Sequence, residues 1–125
     1  MSGTTASTVL VVDDDKKMCE VITAILAGQG CAAVVAGNGR EALAYLRSPA
    51  RQPSLILLDL MMPEMTGWEF RKIQQNDPAL AAIPVAILTG LPDMEGKAAA
   101  LGAVDVLNKP SRVETFASLV SRFCG

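Results

Sequence analysis

The chain contains no histidine, and its only cysteines are Cys19, Cys31 and Cys124. Protein zinc sites are usually built from histidines and closely spaced cysteines, and histidine is the most common general base in enzymes. The three cysteines are odd in number and show no metal-ligand spacing. The sequence therefore argues against a zinc site and against histidine-based catalysis. We expect the cysteines to pack as small apolar side chains in a reducing cytosol.

Aromatic residues and excess charge are also scarce, since aromatics make up 4% of the chain and the formal net charge is −2. A chain without a basic field is not expected to bind nucleic acid. No apolar run approaches the length that spans a membrane, and the first eight residues lack the apolar stretch of a secretion signal. We therefore expect a cytoplasmic protein that binds neither membranes nor nucleic acid.

What the chain does have is aliphatic bulk, because 50% of its 125 residues are hydrophobic and its mean hydropathy is +0.33. This length is typical of one domain with a sizeable core. The first residues are small and polar, which favours a disordered segment over residues 1–8 followed by a single domain over residues 9–125.

Short apolar segments alternate with helical patterns along this domain. Alternation of this kind predicts a parallel sheet with helices on both faces, which is a three-layer α/β sandwich of the flavodoxin-like (βα)5 type with strand order 2-1-3-4-5. The predicted strands are residues 8–12, 31–36, 55–58, 85–88 and 104–107. Helix starts are predicted at Asp15, Asn38, Thr66, Asp93 and Ser111, of which Asn38, Thr66 and Ser111 are followed three residues later by glutamate.

Polar side chains close or follow four of the predicted strands. They are Asp13 and Asp14, Asp59, Thr89, and Lys109. In a sheet of this order they meet at the carboxyl edge, where ligands of open α/β sheets bind. Clustered carboxylates repel one another unless a cation joins them, and Mg²⁺ prefers such oxygen ligands. With Lys109 and the Thr89 hydroxyl nearby, the set could clamp a phosphoryl group while Asp59 acts as nucleophile.

Four motifs carry a family resemblance, and their order in the chain is VVDDD, LILLDLMMPEMTG, ILTG and LNKP. In this order, each closing a strand, they resemble the receiver domain of bacterial two-component response regulators. The resemblance covers residues 9–123. It implies a stand-alone receiver that takes a phosphoryl group from a histidine kinase or a phosphotransfer protein and signals to an unknown output protein by direct contact. It also implies a phosphoacceptor signalling domain rather than a conventional enzyme.

The resemblance assigns a role to each polar residue at the sheet edge. Asp13 and Asp14 would bind Mg²⁺ together with Asp59 and the backbone carbonyl of Met61. Asp59 would accept the phosphoryl group. The remaining roles are a switch hydroxyl for Thr89, a phosphate contact for Lys109 and a cis peptide before Pro110.

Two positions depart from the family pattern. The family usually carries tyrosine or phenylalanine where this chain has Val106, and alanine where it has Gly90. Because the aromatic side chain moves together with the switch hydroxyl, its absence predicts weak conformational switching. An alternative function is therefore a receiver-like binding module or a phosphorelay intermediate.

Two further alternatives follow from other chemistry. A flavodoxin-like cofactor binder would need a phosphate loop after the first strand, where Asp13 to Asp15 would repel a phosphate. A hydrolase that uses an aspartyl phosphate usually has a second acid two residues after the nucleophile, where this chain has Met61.

Overall fold

The computed structural model describes residues 7–49, 52–62, 64–91, 93–108 and 113–124. Its sheet has five strands: β1 (Thr8–Val12), β2 (Ala32–Ala36), β3 (Leu55–Asp59), β4 (Val85–Thr89) and β5 (Asp105–Asn108). The strands are parallel and lie in the order β2-β1-β3-β4-β5. The flavodoxin-like fold predicted from the alternating pattern is confirmed.

A helix follows each strand. The five helices are α1 (Lys16–Gly28), α2 (Gly39–Arg47), α3 (Gly67–Gln75), α4 (Glu95–Ala100) and α5 (Val113–Ser121). Three predicted N-caps are confirmed, because the side chains of Asp15, Asn38 and Thr66 each accept a hydrogen bond from a backbone N–H in the first turn. Thr66 and Glu69 form a complete capping box. These caps fix where α1, α2 and α3 begin.

The sheet separates two apolar layers. One layer packs α2, α3 and α4 against one face of the sheet, with Leu10, Ile56 and Leu58 pointing into it. The other packs α1 and α5 against the opposite face, with Val9, Leu55 and Leu57 pointing into it. Because successive strand residues point to opposite faces, the continuous apolar run in β3 serves both layers. A strand buried on both faces is held rigidly, and so is the residue that ends it.

The prediction for the start of α4 is wrong. Its N-cap is Met94, which makes no side-chain capping bond, while Asp93 has a φ of 56°. A backbone in the left-handed region cannot place the Asp93 side chain over the first turn of the helix. The helix has only 6 residues, so it begins without the stabilisation that the other caps give.

Small differences from the predicted boundaries occur at both ends of the domain. β1 includes Thr8, one residue before the predicted start of the domain, and β5 begins at Asp105 rather than at residue 104. Helix α5 begins by Val113, and the predicted cap at Ser111 lies outside the described residues.

Candidate functional site at the carboxyl edge of the sheet

The topology brings the ends of β1, β3 and β4 together. β3 lies between the other two, with Val12 beside Leu58 and Asp59 beside Leu88. Asp59 is the last residue of β3 and Thr89 the last of β4, while Asp13 follows β1 directly. Parallel strands end at the same edge, so polar residues that are distant in the sequence become neighbours there.

Three carboxylates form a cluster at this edge. Asp13, Asp14 and Asp59 each offer an oxygen atom, and these oxygens lie within 4.8 Å of one another. Asp13 and Asp59 are only 1% and 5% exposed, whereas Asp14 is open to solvent. The cluster is thus closed on the protein side and accessible on the side of Asp14, which suits a small ion or ligand that arrives from water.

Backbone hydrogen bonds orient the two buried carboxylates. The Met61 N–H donates to Asp59 Oδ1 at 3.1 Å, and the Asp15 N–H donates to Asp13 Oδ1 at 3.0 Å. Each bond comes from the chain two residues further on, in the turn that leaves the strand. The turns after β1 and β3 therefore fix the carboxylates before any ligand arrives.

The Thr89 side chain is fully buried, and its Oγ1 accepts a hydrogen bond from the Leu91 N–H at 3.0 Å. A hydroxyl that accepts one bond still has a proton to donate. Thr89 can therefore act as a donor towards a group bound at the sheet edge. Gly90, which follows it, is exposed, and a Cβ added there would meet nothing within 4 Å.

Gly67 is a residue of this site whose role sequence reasoning missed. A Cβ added at Gly67 would lie 2.5 Å from the Asp59 carbonyl oxygen and 2.8 Å from the Leu60 Cα. The Gly67 N–H also donates to the Leu60 carbonyl at 3.0 Å. The first turn of α3 thus packs directly on the end of β3, and only glycine permits this approach.

The loop between β3 and α3 has a second support. Glu64 has a φ of 67°, which is uncommon for a residue with a side chain, and its carboxylate accepts a hydrogen bond of 3.2 Å from Asn38 Nδ2. Among the loop methionines, Met62 is buried and Met65 packs against the core, but Met61 is 60% exposed. Met61 therefore presents an apolar side chain to solvent beside the Asp59 carboxylate.

The chemistry of the donor set fits Mg²⁺. The cluster supplies hard oxygen atoms, at least one of them open to water, and Mg²⁺ prefers one or two carboxylates together with several waters. Thiol or imidazole groups, which would favour zinc, are not part of it. Lys109 and Pro110 lie outside the described residues, so their predicted roles stay predictions.

Comparison with known proteins assigns the chain to a family. The family model described as "Response regulator receiver domain" matches residues 9–121. The chain belongs to this receiver family. The match lies inside the domain predicted over residues 9–125, and it confirms the resemblance drawn from the four sequence motifs.

Individual relatives agree with the family match. The DNA-binding response regulator MtrA of Mycolicibacterium paratuberculosis is 36% identical over 104 residues, which are 82% of this chain and 44% of that protein. The receiver domain thus spans less than half the length of this curated relative. The solved structure of the chemotaxis response regulator CheY4 of Vibrio cholerae is 34% identical, with a TM-score of 0.84, and the match covers 95% of this chain and 99% of that one.

A third relative was solved in a modified state. The phosphorylated cyanobacterial phytochrome response regulator RcpA is 28% identical, with a TM-score of 0.80 and coverage of 94% of this chain and 91% of that one.

Within the part of the receiver domain that the structure describes, no helix is both long and apolar enough to cross a membrane.

Proposed function

We propose that this receiver domain is a Mg²⁺-dependent phosphoacceptor that takes a phosphoryl group onto Asp59 from a histidine kinase or a histidine phosphotransfer protein. The observation that carries the proposal is the cluster of Asp13, Asp14 and Asp59 at the carboxyl edge of the sheet. The phosphorylated state named for the RcpA relative supports it. The domain is then a signalling module that assists its own phosphorylation.

The reaction transfers one phosphoryl group. A carboxylate oxygen of Asp59 attacks phosphorus, the bond from phosphorus to the histidine nitrogen breaks, and the departing imidazole keeps its electron pair and takes a proton from water. Such transfers depend mainly on positioning and charge neutralisation. The Met61 N–H and the rigid end of β3 hold Asp59 in place, and the Thr89 hydroxyl can donate to a phosphoryl oxygen.

Asp13 and Asp14 would hold the metal with Asp59 and the Met61 carbonyl. Bound there, Mg²⁺ would neutralise the negative charge that gathers on the carboxylates and the phosphoryl oxygens. We propose that Lys109 contacts a phosphoryl oxygen as a point charge. The proposed setting is the cytoplasm, where kinases supply phosphohistidine, and the proposed output is contact with another protein or onward phosphotransfer.

Asp59→Asn should abolish phosphorylation. Incubation of the parent with acetyl phosphate and Mg²⁺ should add the mass of one phosphoryl group, and the variant should add none because an amide is a poor nucleophile. Intact-protein mass spectrometry reads both results. The matched control is Asp105→Asn, since Asp105 begins β5 at the opposite edge of the sheet. An Asp59→Asn protein that still gains the phosphoryl mass would assign the acceptor elsewhere.

Asp13→Asn combined with Asp14→Asn should weaken Mg²⁺ binding at least about tenfold, since two charged ligands are lost. Titration calorimetry with MgCl₂ measures the change. Asp15→Asn is the control, because it removes one charge at the adjacent position and asparagine still caps α1. Equal Mg²⁺ affinity in the double variant and the Asp15→Asn protein would disprove the assignment of the acid pair.

Val106 favours the alternative of weak conformational switching. It is half-buried on β5 beside Ile87, and both pack in the layer under α4. Strand alternation places Thr89 towards the same face of the sheet, so the family's aromatic would stand beside the switch hydroxyl. Phosphorylation is therefore expected to change amide exchange over residues 93–107 only slightly, with α1 as internal reference. A large change in protection would show that another element, such as the uncapped α4, carries the switch.

A further inference from the structure

Two thiols lie together beside the start of β2. Cys31 directly precedes β2 and is 6% exposed, and Cys124 follows α5 and is half-buried. Both belong to the apolar layer that α1 and α5 form against the sheet. They are 93 positions apart in the sequence, so their meeting is a product of the fold.

The two side chains interact directly. Burial, together with a hydrogen bond and electrostatic repulsion from the Cys31 thiol, raises the pKa of Cys124 to about 12. The Cys31 thiol also lies 3.8 Å from the Gln29 carbonyl. Cys19 lies in the same layer, but its thiol donates to the Asp13 carbonyl at 3.4 Å, at the carboxyl end of β1. The thiols of Cys31 and Cys124 thus form a pair, from which Cys19 is set apart.

Both cysteines lie just outside a regular element. Helix α5 ends at Ser121, and the chain then continues in turns, in which the N–H groups of residues 122, 123 and 124 donate to carbonyls of the last helical turn at 3.1, 2.9 and 2.8 Å. The Cys31 N–H donates to the Leu26 carbonyl at 2.9 Å, and β2 follows at once. A bond between the two sulfur atoms would therefore join the end of α5 to the start of β2 without involving a residue inside either element.

We propose that Cys31 and Cys124 are a modification site, which a low-molecular-weight disulfide such as oxidised glutathione converts into an intramolecular disulfide that ties the end of α5 to the turn before β2. One cysteine, as thiolate, attacks the small disulfide, forms a mixed disulfide and releases one small thiol. The second cysteine attacks the protein sulfur of that mixed disulfide and releases the second small thiol. The protein loses two electrons and two protons, which the two small thiols carry away.

The structure sets the rate and the effect of this bond. At neutral pH very little of Cys124 is thiolate, so closure should be slow and should report a sustained change in redox conditions. The bond would close a loop of about 90 residues, and a loop of that size removes much of the freedom of the unfolded chain. The oxidised protein should therefore unfold at a temperature on the order of 10 °C higher than the reduced protein.

The test is equilibration of the native protein in buffers with increasing ratios of oxidised to reduced glutathione. The protein mass should fall by two hydrogens, and the thermal midpoint should rise and return after reduction. Cleavage after Glu20, Glu41 and Glu114 places the three cysteines on separate peptides. Mass spectrometry should then find the peptide of Cys31 joined to that of Cys124.

Two variants complete the test. Cys19→Ala should form the same bond, and Cys124→Ser should show neither the mass loss nor the rise in thermal midpoint. A stable glutathione adduct on Cys124 that never closes would overturn the proposal. A disulfide between Cys19 and Cys31 would also overturn it, as would a closed bond that leaves the thermal midpoint unchanged.

Discussion

Substitution of Met61 by Asn together with Leu91 by Glu is expected to shorten the lifetime of the phosphorylated domain by on the order of a hundredfold. An acyl phosphate is lost when water attacks phosphorus in line with the bond to the Asp59 oxygen. A polar side chain that orients this water is typically worth about that factor or more. The parent chain has only apolar side chains at these two positions.

The prediction that Met61 and Leu91 control the attacking water rests on their positions. The Met61 N–H binds the Asp59 carboxylate, and the Leu91 N–H binds the Thr89 hydroxyl. Both residues therefore lie in the turns that flank Asp59, and both side chains are substantially exposed there. They can crowd a water molecule but cannot hydrogen-bond to it, so we expect a long-lived phosphorylated form.

Loss of the phosphoryl mass over time in buffer with Mg²⁺ measures this lifetime. The matched control exchanges the two apolar residues, Met61→Leu with Leu91→Met, and should decay at the parent rate. If the polar double variant decays no faster than the parent, access through Gly90 is the better explanation. Gly90→Ala should then slow the decay, because the structure has open space for the added methyl group.

Arg71→Ala is expected to lower the free energy of unfolding by about 3 kcal/mol or more. The Arg71 side chain is 6% exposed, and its guanidinium donates to the Leu101 carbonyl at 2.7 Å and the Gly102 carbonyl at 3.2 Å. It also donates to Gln74 Oε1 at 2.8 Å. Burial lowers the pKa of Arg71 below its ordinary value, which reflects the cost of holding this charge in the interior. Removal of the side chain would leave its acceptors without this donor and open a cavity.

The effect should spread beyond α3, because Gln74 extends the network. It is fully buried, and its Nε2 donates to the Leu80 and Ile83 carbonyls at 3.0 and 3.1 Å. Arg71 and Gln74 thus bind α3 to the end of α4 and to the segment that leads into β4. Urea unfolding measures the loss, and Arg71→Lys should be intermediate since one ammonium cannot match the planar group.

Lys72→Ala is the control for this prediction, because Lys72 is exposed on the same helix and should change stability by less than about 0.5 kcal/mol. A similarly small change for Arg71→Ala would mean that packing, and not this network, holds α4 and the preceding segment in place.

The strands and the acid cluster could be predicted because their signals are local. A short apolar run that ends in a carboxylate predicts both a buried strand and the residue at which it ends, as for Leu55 to Asp59. Alternation with helices then supplies the sheet order, which brings Asp13 and Asp59 together. The caps of α2 and α3 were equally readable, because the capping side chain and its partner lie only three residues apart.

Contacts between distant segments could not be predicted from the sequence. Arg71 and Gln74 are polar residues within a helix, and only the positions of residues 80–83 and 101–102 show why they are buried. The steric demand on Gly67 arises from the end of β3, and the pairing of Cys31 with Cys124 arises from the packing of α5. The start of α4 was predicted wrongly because Asp93 has a left-handed backbone conformation, which its residue type does not predict.

The length of β3 determines on which side of the sheet Asp59 lies. Leu55 and Leu57 point towards α1 and α5, and Ile56, Leu58 and Leu60 point towards the other helices. Deletion of one residue within the run would reverse the facing of the residues that follow relative to those that precede, so the carboxylate would no longer lie on its present side of the sheet. Insertions are therefore tolerable in the loops between helices and strands, whereas the spacing from Leu55 to Asp59 admits no change. Any lineage or library that keeps the Asp59 carboxylate at this edge must also keep this number of residues.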